Sequence, residues 1–358
     1  MLRDYYVGRR VLVTGSTGFK GGWLCRMLAM LGAEVWGYAL EAPTDPSLWH
    51  EGGIAQDVRQ VIGDIRDFEA LSSVFEEARP QVVLHLAAQP LVIESYHHPR
   101  TTYATNVMGT VNVLECVRLT PETTSVVNVT TDKVYENREI PGHGYREHER
   151  LDGWDPYSNS KSCSELVTAS YRRSFFDDGA TGDSAGRVAV STARAGNVIG
   201  GGDFAAMRIV PDCVRAALAG KPLIMRNPNS VRPYQHVLEP LSAYLLLAMS
   251  QDGDHALCGA YNIGPSADDC VTTGTLANLF AEAWGEGFTW EATDANGPHE
   301  AGFLMLDATC AKTSLGWRPC WNVAEAVRRT VDWTRAWQLG DARDEMDNQI
   351  RDYLGALV

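Results

Sequence analysis

The chain has 358 residues, 45% of them apolar, and a formal net charge of −14. That length and apolar content suit a globular protein of two lobes, and the acidic balance excludes a general binder of nucleic acid or anionic membrane, which needs clustered Lys and Arg. No apolar run nears the ~20 residues that span a bilayer, and the opening Met1-Leu2-Arg3-Asp4 lacks a signal-peptide pattern, so a cytoplasmic location is expected.

The first strong pattern is Arg10-Val-Leu-Val-Thr-Gly-Ser-Thr-Gly-Phe-Lys-Gly-Gly22. Its β-branched run at 11–13 reads as a buried strand that breaks into glycines 15, 18 and 21 and opens an apolar helix over 23–31. Glycine permits the tight turn and lets the main chain approach a ligand, while the unpaired N–H groups of the helix start carry partial positive charge. The stretch is a candidate pyrophosphate cradle, although such turns also use glycine for packing. Lys20 within it is either a phosphate contact or a solvated lysine.

Strands and helices then alternate: strand 34–39, a Pro- and Gly-marked loop, strand 58–62 ending in Gly63-Asp64, helix 68–75, strand 82–86 ending in Ala87-Ala88-Gln89, helix 103–118 and strand 126–129. This order predicts an α/β fold, a Rossmann-type doubly wound parallel sheet that binds ligands beyond the carboxyl ends of its strands. Past the second strand only Glu41 offers an acid for an adenosine ribose, and no nearby arginine is placed for a 2′-phosphate, which favours NAD over NADP.

The fifth strand runs into Thr130-Thr131-Asp132-Lys133, which puts a hydroxyl, a carboxylate and an amine at the ligand-binding edge, or closes the strand as a Thr-Asp turn. After a loop rich in Gly, Pro and charge, Asp155-Pro156-Tyr157-Ser158-Asn159-Ser160-Lys161 opens a helix. Tyr157 and Lys161, four apart, share one helix face. A lysine ammonium near a phenol lowers the tyrosine pKa from ~10 toward working pH and makes a general base. Eight cysteines without a C-x-x-C pair and nine histidines without H-E-x-x-H point to reduced, packed thiols and no metal site.

These motifs give the chain a resemblance, over about residues 10–335, to the extended short-chain dehydrogenase/reductase family acting on nucleotide-activated sugars. The matching features are T-G-x-x-G-F-x-G at 14–21, Gly63-Asp64-Ile65, Leu86-Ala-Ala-Gln89, Thr105-Asn-Val-x-Gly-Thr110, Tyr157 with Lys161, Arg194-Ala-Gly-Asn-Val-Ile-Gly-Gly-Gly-Asp203, Arg232-Pro-Tyr-Gln-His-Val237 and Leu315-Gly-Trp-x-Pro319. Within the family it looks most like the CDP-glucose 4,6-dehydratase branch, through Gly-Phe-Lys-Gly-Gly, Tyr38-Ala-Leu-x-Ala-Pro-Thr44, Ala87-Ala-Gln-Pro-Leu-Val92 and Ile199-Gly-Gly-Gly-Asp203.

The resemblance implies an NAD-binding Rossmann domain over 1–194, a smaller substrate lobe mainly over 195–340 with a segment near 233–262 returning to the first domain, and a C-terminal tail over 341–358. It implies NAD contacts at Gly15, Thr17, Gly18, Phe19, Lys20, Gly21, Asp64, Ile65, Leu86, Ala87, Ala88, Gln89, Thr105, Tyr157 and Lys161. Contacts to a nucleotide-sugar substrate fall at Gln89, Thr131, Asn197, Arg208, Arg232, Tyr234 and His299. Arg194 is taken instead as a structural partner within the sheet. The implied reaction, on CDP-glucose, is oxidation at C4, loss of water across C5 and C6, and hydride return to C6, in a route to deoxysugars such as those of O-antigen. Tyr157, helped by Lys161 and Thr131, takes the 4-hydroxyl proton, Asp132 protonates the departing 6-hydroxyl, and Lys133 either takes the C5 proton or orients Asp132.

Many such dehydratases resembling this chain carry glutamate at position 133. The loop with Ile140-Pro141-Gly142-His143 and Asp152-Gly153-Trp154 departs from the branch, where tryptophans and a Gly-Gly-Tyr are expected. Other nucleotide hexoses, a 4-epimerase, which needs no acid at position 132, and a non-catalytic dinucleotide-binding protein are the competing readings. Helices near 100–118 and 157–174 resemble those that build a four-helix homodimer interface in the family.

Overall fold

β-Branched and aliphatic runs become the strands of one sheet in the computed structural model, which describes residues 1–180, 182–293 and 301–357. In chain order these are β1 (Arg10–Thr14), β2 (Glu34–Ala39), β3 (Arg59–Ile62), β4 (Val82–His85), β5 (Ser125–Thr131) and β6 (Ala189–Ala195). The short strands β7 (Val198–Ile199), β8 (Leu223–Met225), β9 (Val231–Pro233) and β10 (Gln235–His236) follow, then β11 (Ala260–Ile263), β12 (Cys270–Thr272) and β13 (Trp290–Ala292). The large sheet has the order β11-β6-β5-β4-β1-β2-β3 with every pair parallel. The expected doubly wound parallel sheet is therefore the observed one. The chain reverses its direction of travel between β1 and β4, and open sheets of this kind bind ligands at such a switch point.

Every residue of β5 and β6 is buried, as strands covered on both faces must be. One face carries Trp23, Leu24 and Leu28 of the Phe19–Met30 helix together with the Leu238–Gly253 helix. The other carries Leu71 and Phe75 of the Phe68–Ala78 helix and Val113 and Val117 of the Gly109–Leu119 helix. The helix that carries Tyr157 and Lys161, Pro156–Tyr171, starts where the Asp155 carboxylate accepts the Ser158 N–H and Pro156 occupies the first turn. The second lobe closes on its own core of Ile199, Val210, Leu276, Phe280 and Val327.

Two stretches differ from the sequence expectation. The helix expected over 103–118 is interrupted by a π-helical turn at Ala104–Met108, where the Asn106 side chain reaches back to Gln89. The C-terminal stretch, expected as a tail, forms the Ala342–Ala356 helix, whose Met346, Ile350 and Tyr353 are fully buried. Arg26 pins it through a two-bond contact with Asp347, and the Tyr353 phenol donates to Glu239 at 2.7 Å. Its low hydropathy hid a narrow apolar stripe.

Burial holds both His85 and His236 neutral, with pKa values brought down to about 3, while Glu239 is pushed up to about 7 by burial. An unfolded histidine takes up its proton near 6.5, so each costs stability as pH falls from 6.5 toward 3, by up to about 1.4 kcal/mol per pH unit. Glu239 works in the opposite sense between its ordinary value near 4.5 and about 7. Urea unfolding between pH 6.5 and 4.5 should therefore show the two histidines' loss on acidification, partly offset by Glu239 and by Glu147, which burial also raises. In His236→Phe, which keeps a ring between Trp23 and Trp321, the loss on acidification should shrink.

Candidate active site

The glycine turn sits at the switch point, and its geometry excludes side chains. Gly15 has φ +76°, and a Cβ on it would stand 2.8 Å from the Ala87 nitrogen beyond β4. A Cβ on Gly21 would stand 2.0 Å from the Gly15 carbonyl oxygen. Gly18 starts the Phe19–Met30 helix, and no side chain caps its first N–H groups. The Thr17 hydroxyl is turned away, donating to the Leu40 carbonyl at 2.8 Å. A helix start left uncapped behind a bare main-chain cradle fits the diphosphate of a dinucleotide.

The neighbouring strand ends complete this edge. Leu86 and Ala87 are held on Thr14 by N–H bonds of 3.1 and 3.2 Å. Gln89 is fixed from both sides: its N–H donates to Asn106 Oδ1 at 2.9 Å and its amide to Thr102 at 2.9 Å. Ile65 is buried under Gly109, where a Cβ would meet it at 2.4 Å. The Arg66 guanidinium grips Asp64 and holds its carboxyl below the usual range. Ala88 and Thr105 are half-buried. Phe19 packs where a Cβ on Gly200 would stand, 3.2 Å away, so the glycine run at 200–202 lets the second lobe close onto the helix start.

At the end of β5, Thr131 donates to Asp132 Oδ1 at 2.9 Å, and the Lys133 ammonium lies 3.5 Å from the same oxygen. Asp132 is buried, and its Oδ2 has no hydrogen-bond partner among the described residues. The same is true of Asn197 Oδ1 on the turn after β6. A Cβ on the intervening Gly196 would stand 3.3 Å from Asp132 Oδ2. Two buried acceptors left open on adjacent turns are a place for a ligand's hydroxyl or amine.

Tyr157 is buried, and the Thr131 hydroxyl lies close enough to act on its phenol. Its pKa is pushed up to about 12 by burial, with Asp132 adding to the rise. Lys161 donates to the Val129 carbonyl at 3.1 Å, and burial together with the Lys20 cation brings it down to about 7. The expected lowering of the tyrosine by Lys161 is thus not found in the protein alone, because a dry site penalises phenolate and ammonium alike. Thr131 offers the remaining lever: rotated from Asp132 to the phenol oxygen, its hydroxyl favours the phenolate.

Lys20 is half-buried, not a freely solvated lysine, and burial and Arg208 bring it down to about 8. Arg208 is paired with Asp203 at 2.9 Å, close enough for its charge to reach Tyr157 and Lys20. The Arg232 guanidinium rests on the Val231 carbonyl at 2.9 Å and on the Ala301 carbonyl. Tyr234, between β9 and β10, is buried in the core of the second lobe with its hydroxyl on Thr273. His299 lies outside the described residues. A cavity of about 550 Å³ opens between the 136–155 loop and the start of the Pro156–Tyr171 helix, lined by Tyr103, Glu136, Asn137, Asp152, Trp154 and Asn159.

The description of the GDP-mannose 4,6 dehydratase family matches residues 12–330. The chain belongs to this family. It is 46% identical over 356 residues to the CDP-glucose 4,6-dehydratase of Salmonella typhimurium, covering 99% of this chain and 98% of that one. A dTDP-glucose 4,6-dehydratase of Streptomyces antibioticus is 32% identical over 80% of each chain. Among solved structures, the Thermus thermophilus UDP-glucose 4-epimerase in complex with NAD superposes with a TM-score of 0.78 at 26% identity, over 91% of this chain and 99% of that one. The dTDP-glucose 4,6-dehydratase of Bacillus anthracis shares the fold, with a TM-score of 0.75 at 23% identity, over 92% of this chain and 98% of that one.

Within this GDP-mannose 4,6-dehydratase family chain, sequence reasoning passed over three residues that shape the site. Asn106 holds Gln89, Gly196 leaves room beside Asp132, and Gly37 lets Ser16 and Gln60 meet at 2.7 Å above β2. Asn106 and Gly196 lay inside motifs already singled out, but their roles are contacts across the sheet edge. Gly21→Ala should cost about 1–3 kcal/mol by overpacking, read as a lowered urea midpoint with unchanged m-value.

Proposed function

We propose that the protein is an NAD-dependent CDP-glucose 4,6-dehydratase, a hydro-lyase that converts CDP-glucose to CDP-4-dehydro-6-deoxyglucose and water. The observation that carries the reaction type is Asp132, a buried carboxylate with one open oxygen, set beside Thr131 and Lys133 and facing the turn that carries Asn197. An elimination needs such an acid, whereas a 4-epimerase does not. The whole-length likeness to the Salmonella enzyme supports the sugar nucleotide.

In this reading the 1–194 domain holds NAD on the turn from Gly15 to Gly21, with Lys20 at its helix start. Asp64, Ile65, Leu86, Ala87, Ala88, Gln89 and Thr105 flank it, and Tyr157 and Lys161 stand at its reactive end. NAD when bound accepts hydride from C4 of the sugar and returns it at C6. Tyr157, with Thr131 donating to its oxygen, takes the proton of the 4-hydroxyl. Once C4 is a ketone the C5 proton is acidic, and Asp132 delivers a proton to the 6-hydroxyl as it leaves as water. Lys133, in contact with Asp132, orients it as an ammonium or takes the C5 proton as a neutral amine. Arg208 and Arg232 grip the diphosphate as donors, with the amide nitrogen of Asn197 adding a third donor.

We assign the product to deoxysugar formation of the O-antigen kind, and the protein to the cytoplasm as a homodimer. Exposed Met108 and Leu166 on the two candidate interface helices support the dimer. Among the described residues no helix is long and apolar enough to cross a membrane.

Incubation with CDP-glucose and NAD in heavy water, followed by mass spectrometry, tests the assignment. Loss of one water with one deuterium gained at C5 is expected, and a C4 epimer of unchanged formula would move the protein to the epimerases. Lys133→Met should still form the C4-oxidised sugar, trapped with borodeuteride, but no 6-deoxy product; full turnover would remove Lys133 from the mechanism. Arg232→Ala should raise KM about 10- to 100-fold, the loss expected for charge-assisted bonds worth about 1.5–3 kcal/mol.

A further inference from the structure

Beneath this site lies an ion pair that the proposed chemistry leaves unused. Glu165 sits one helical turn beyond Lys161 on the same face of the Pro156–Tyr171 helix. Its Oε2 accepts from Arg194 of β6 at 2.8 Å and from Thr192 at 2.7 Å, and its Oε1 accepts from Thr130 of β5. Arg194 also donates to the Tyr135 phenol oxygen at 2.8 Å and the Glu147 carbonyl at 2.9 Å, and Tyr135 donates to Asn262 of β11 at 2.6 Å. Glu165 and Arg194 are each under 5% exposed. Well-packed apolar residues usually replace such a buried pair without loss of stability, so stability alone does not account for it.

Lys161 is the neighbour that gains. Its ammonium donates to one neutral acceptor, the Val129 carbonyl presented by β5, and no carboxylate forms an ion pair with it among the described residues. The titratable groups around it are Lys20 from the Phe19–Met30 helix, neutral His85 from β4, and Tyr157 and Glu165 from its own helix. Of these, Glu165 is the anion that opposes burial and Lys20.

We propose that Glu165 is a positioning residue for the reaction: locked by Arg194, Thr130 and Thr192, it supplies the negative charge that favours the ammonium form of Lys161 beside Tyr157. The assignment of a catalytic task to Lys161 rests on the dehydratase reading, but its charge state can be measured without turnover. The chain has five lysines, so NMR titration of ¹³C-lysine-labelled full-length protein, with Lys161→Arg for assignment, resolves Lys161 directly.

In Glu165→Gln the Lys161 midpoint should fall by about one pH unit or more, the shift expected on losing a nearby opposite charge. The alkaline limb of kcat on CDP-glucose should move down by the same amount with KM nearly unchanged, and Glu165→Asp should restore most of it. Because Glu165→Gln strands Arg194, the double variant Glu165→Gln with Arg194→Met should recover thermal stability yet keep the lowered midpoint. An unchanged Lys161 midpoint in Glu165→Gln overturns the proposal, as does a double variant that returns both stability and midpoint to those of the parent protein. If the parent protein turns over no sugar nucleotide, the dehydratase reading fails while the titration still decides the role of Glu165.

Discussion

At the switch point of the sheet two stretches of main chain pass so closely that no side chain fits between them. The turn after β1 lies against the turn after β4, and the first turn of the Phe19–Met30 helix lies against Gly15. Everything that forms the candidate site depends on that approach. It leaves the helix start uncapped, aims Phe19 at the second lobe, and sets the ends of β4, β5 and β6 in register around one edge. The glycine run after β7 repeats the device, since Cβ atoms there would strike Phe19, Trp333 and Leu48.

The site built on this edge is dry and charged, and the polar groups around it are unevenly satisfied. Asp132 and Asn197 each keep a buried oxygen without a partner, whereas in the layer beneath Glu165, Arg194, Tyr135 and Asn262 are bonded to one another across several elements, with only the Arg194 Nε left over. Open acceptors above a locked network are what a ligand-binding edge requires, because the network fixes geometry while the acceptors wait for the ligand's donors. The same dryness opposes charge on both Tyr157 and Lys161. In the proposed reaction, proton transfer at this edge would rest on short-range donors and counter-charges, Thr131 and Glu165 foremost, more than on the lysine–tyrosine pair in isolation.

Much of this was written in the order of residues. The alternation of apolar runs with helical stretches, the three glycines after β1 and the Asp155-Pro156 helix start are local signals, since each follows from the conformations its own residues can adopt. They fixed the parallel sheet and placed Thr131, Asp132, Tyr157 and Lys161 at strand or helix ends. The π-helical turn at Ala104–Met108 and the burial of the last helix were not legible in this way. The first is held by a bond from Asn106 to Gln89, and the second by the pairing of Arg26 with Asp347.

The sequence by itself therefore determined which chemical groups stand at the ligand-binding edge, because side-chain alternation and turn chemistry are short-range. Only the tertiary structure decided their states. The inward placement of Tyr234, the half-burial of Lys20 and the locking of Glu165 by Thr130, Thr192 and Arg194 all depend on what packs against each group from distant parts of the chain. Burial and counter-charge are sums over neighbours in space, and the neighbours that set them, β6 around Glu165 and the second lobe around Tyr234, come from segments tens of residues away.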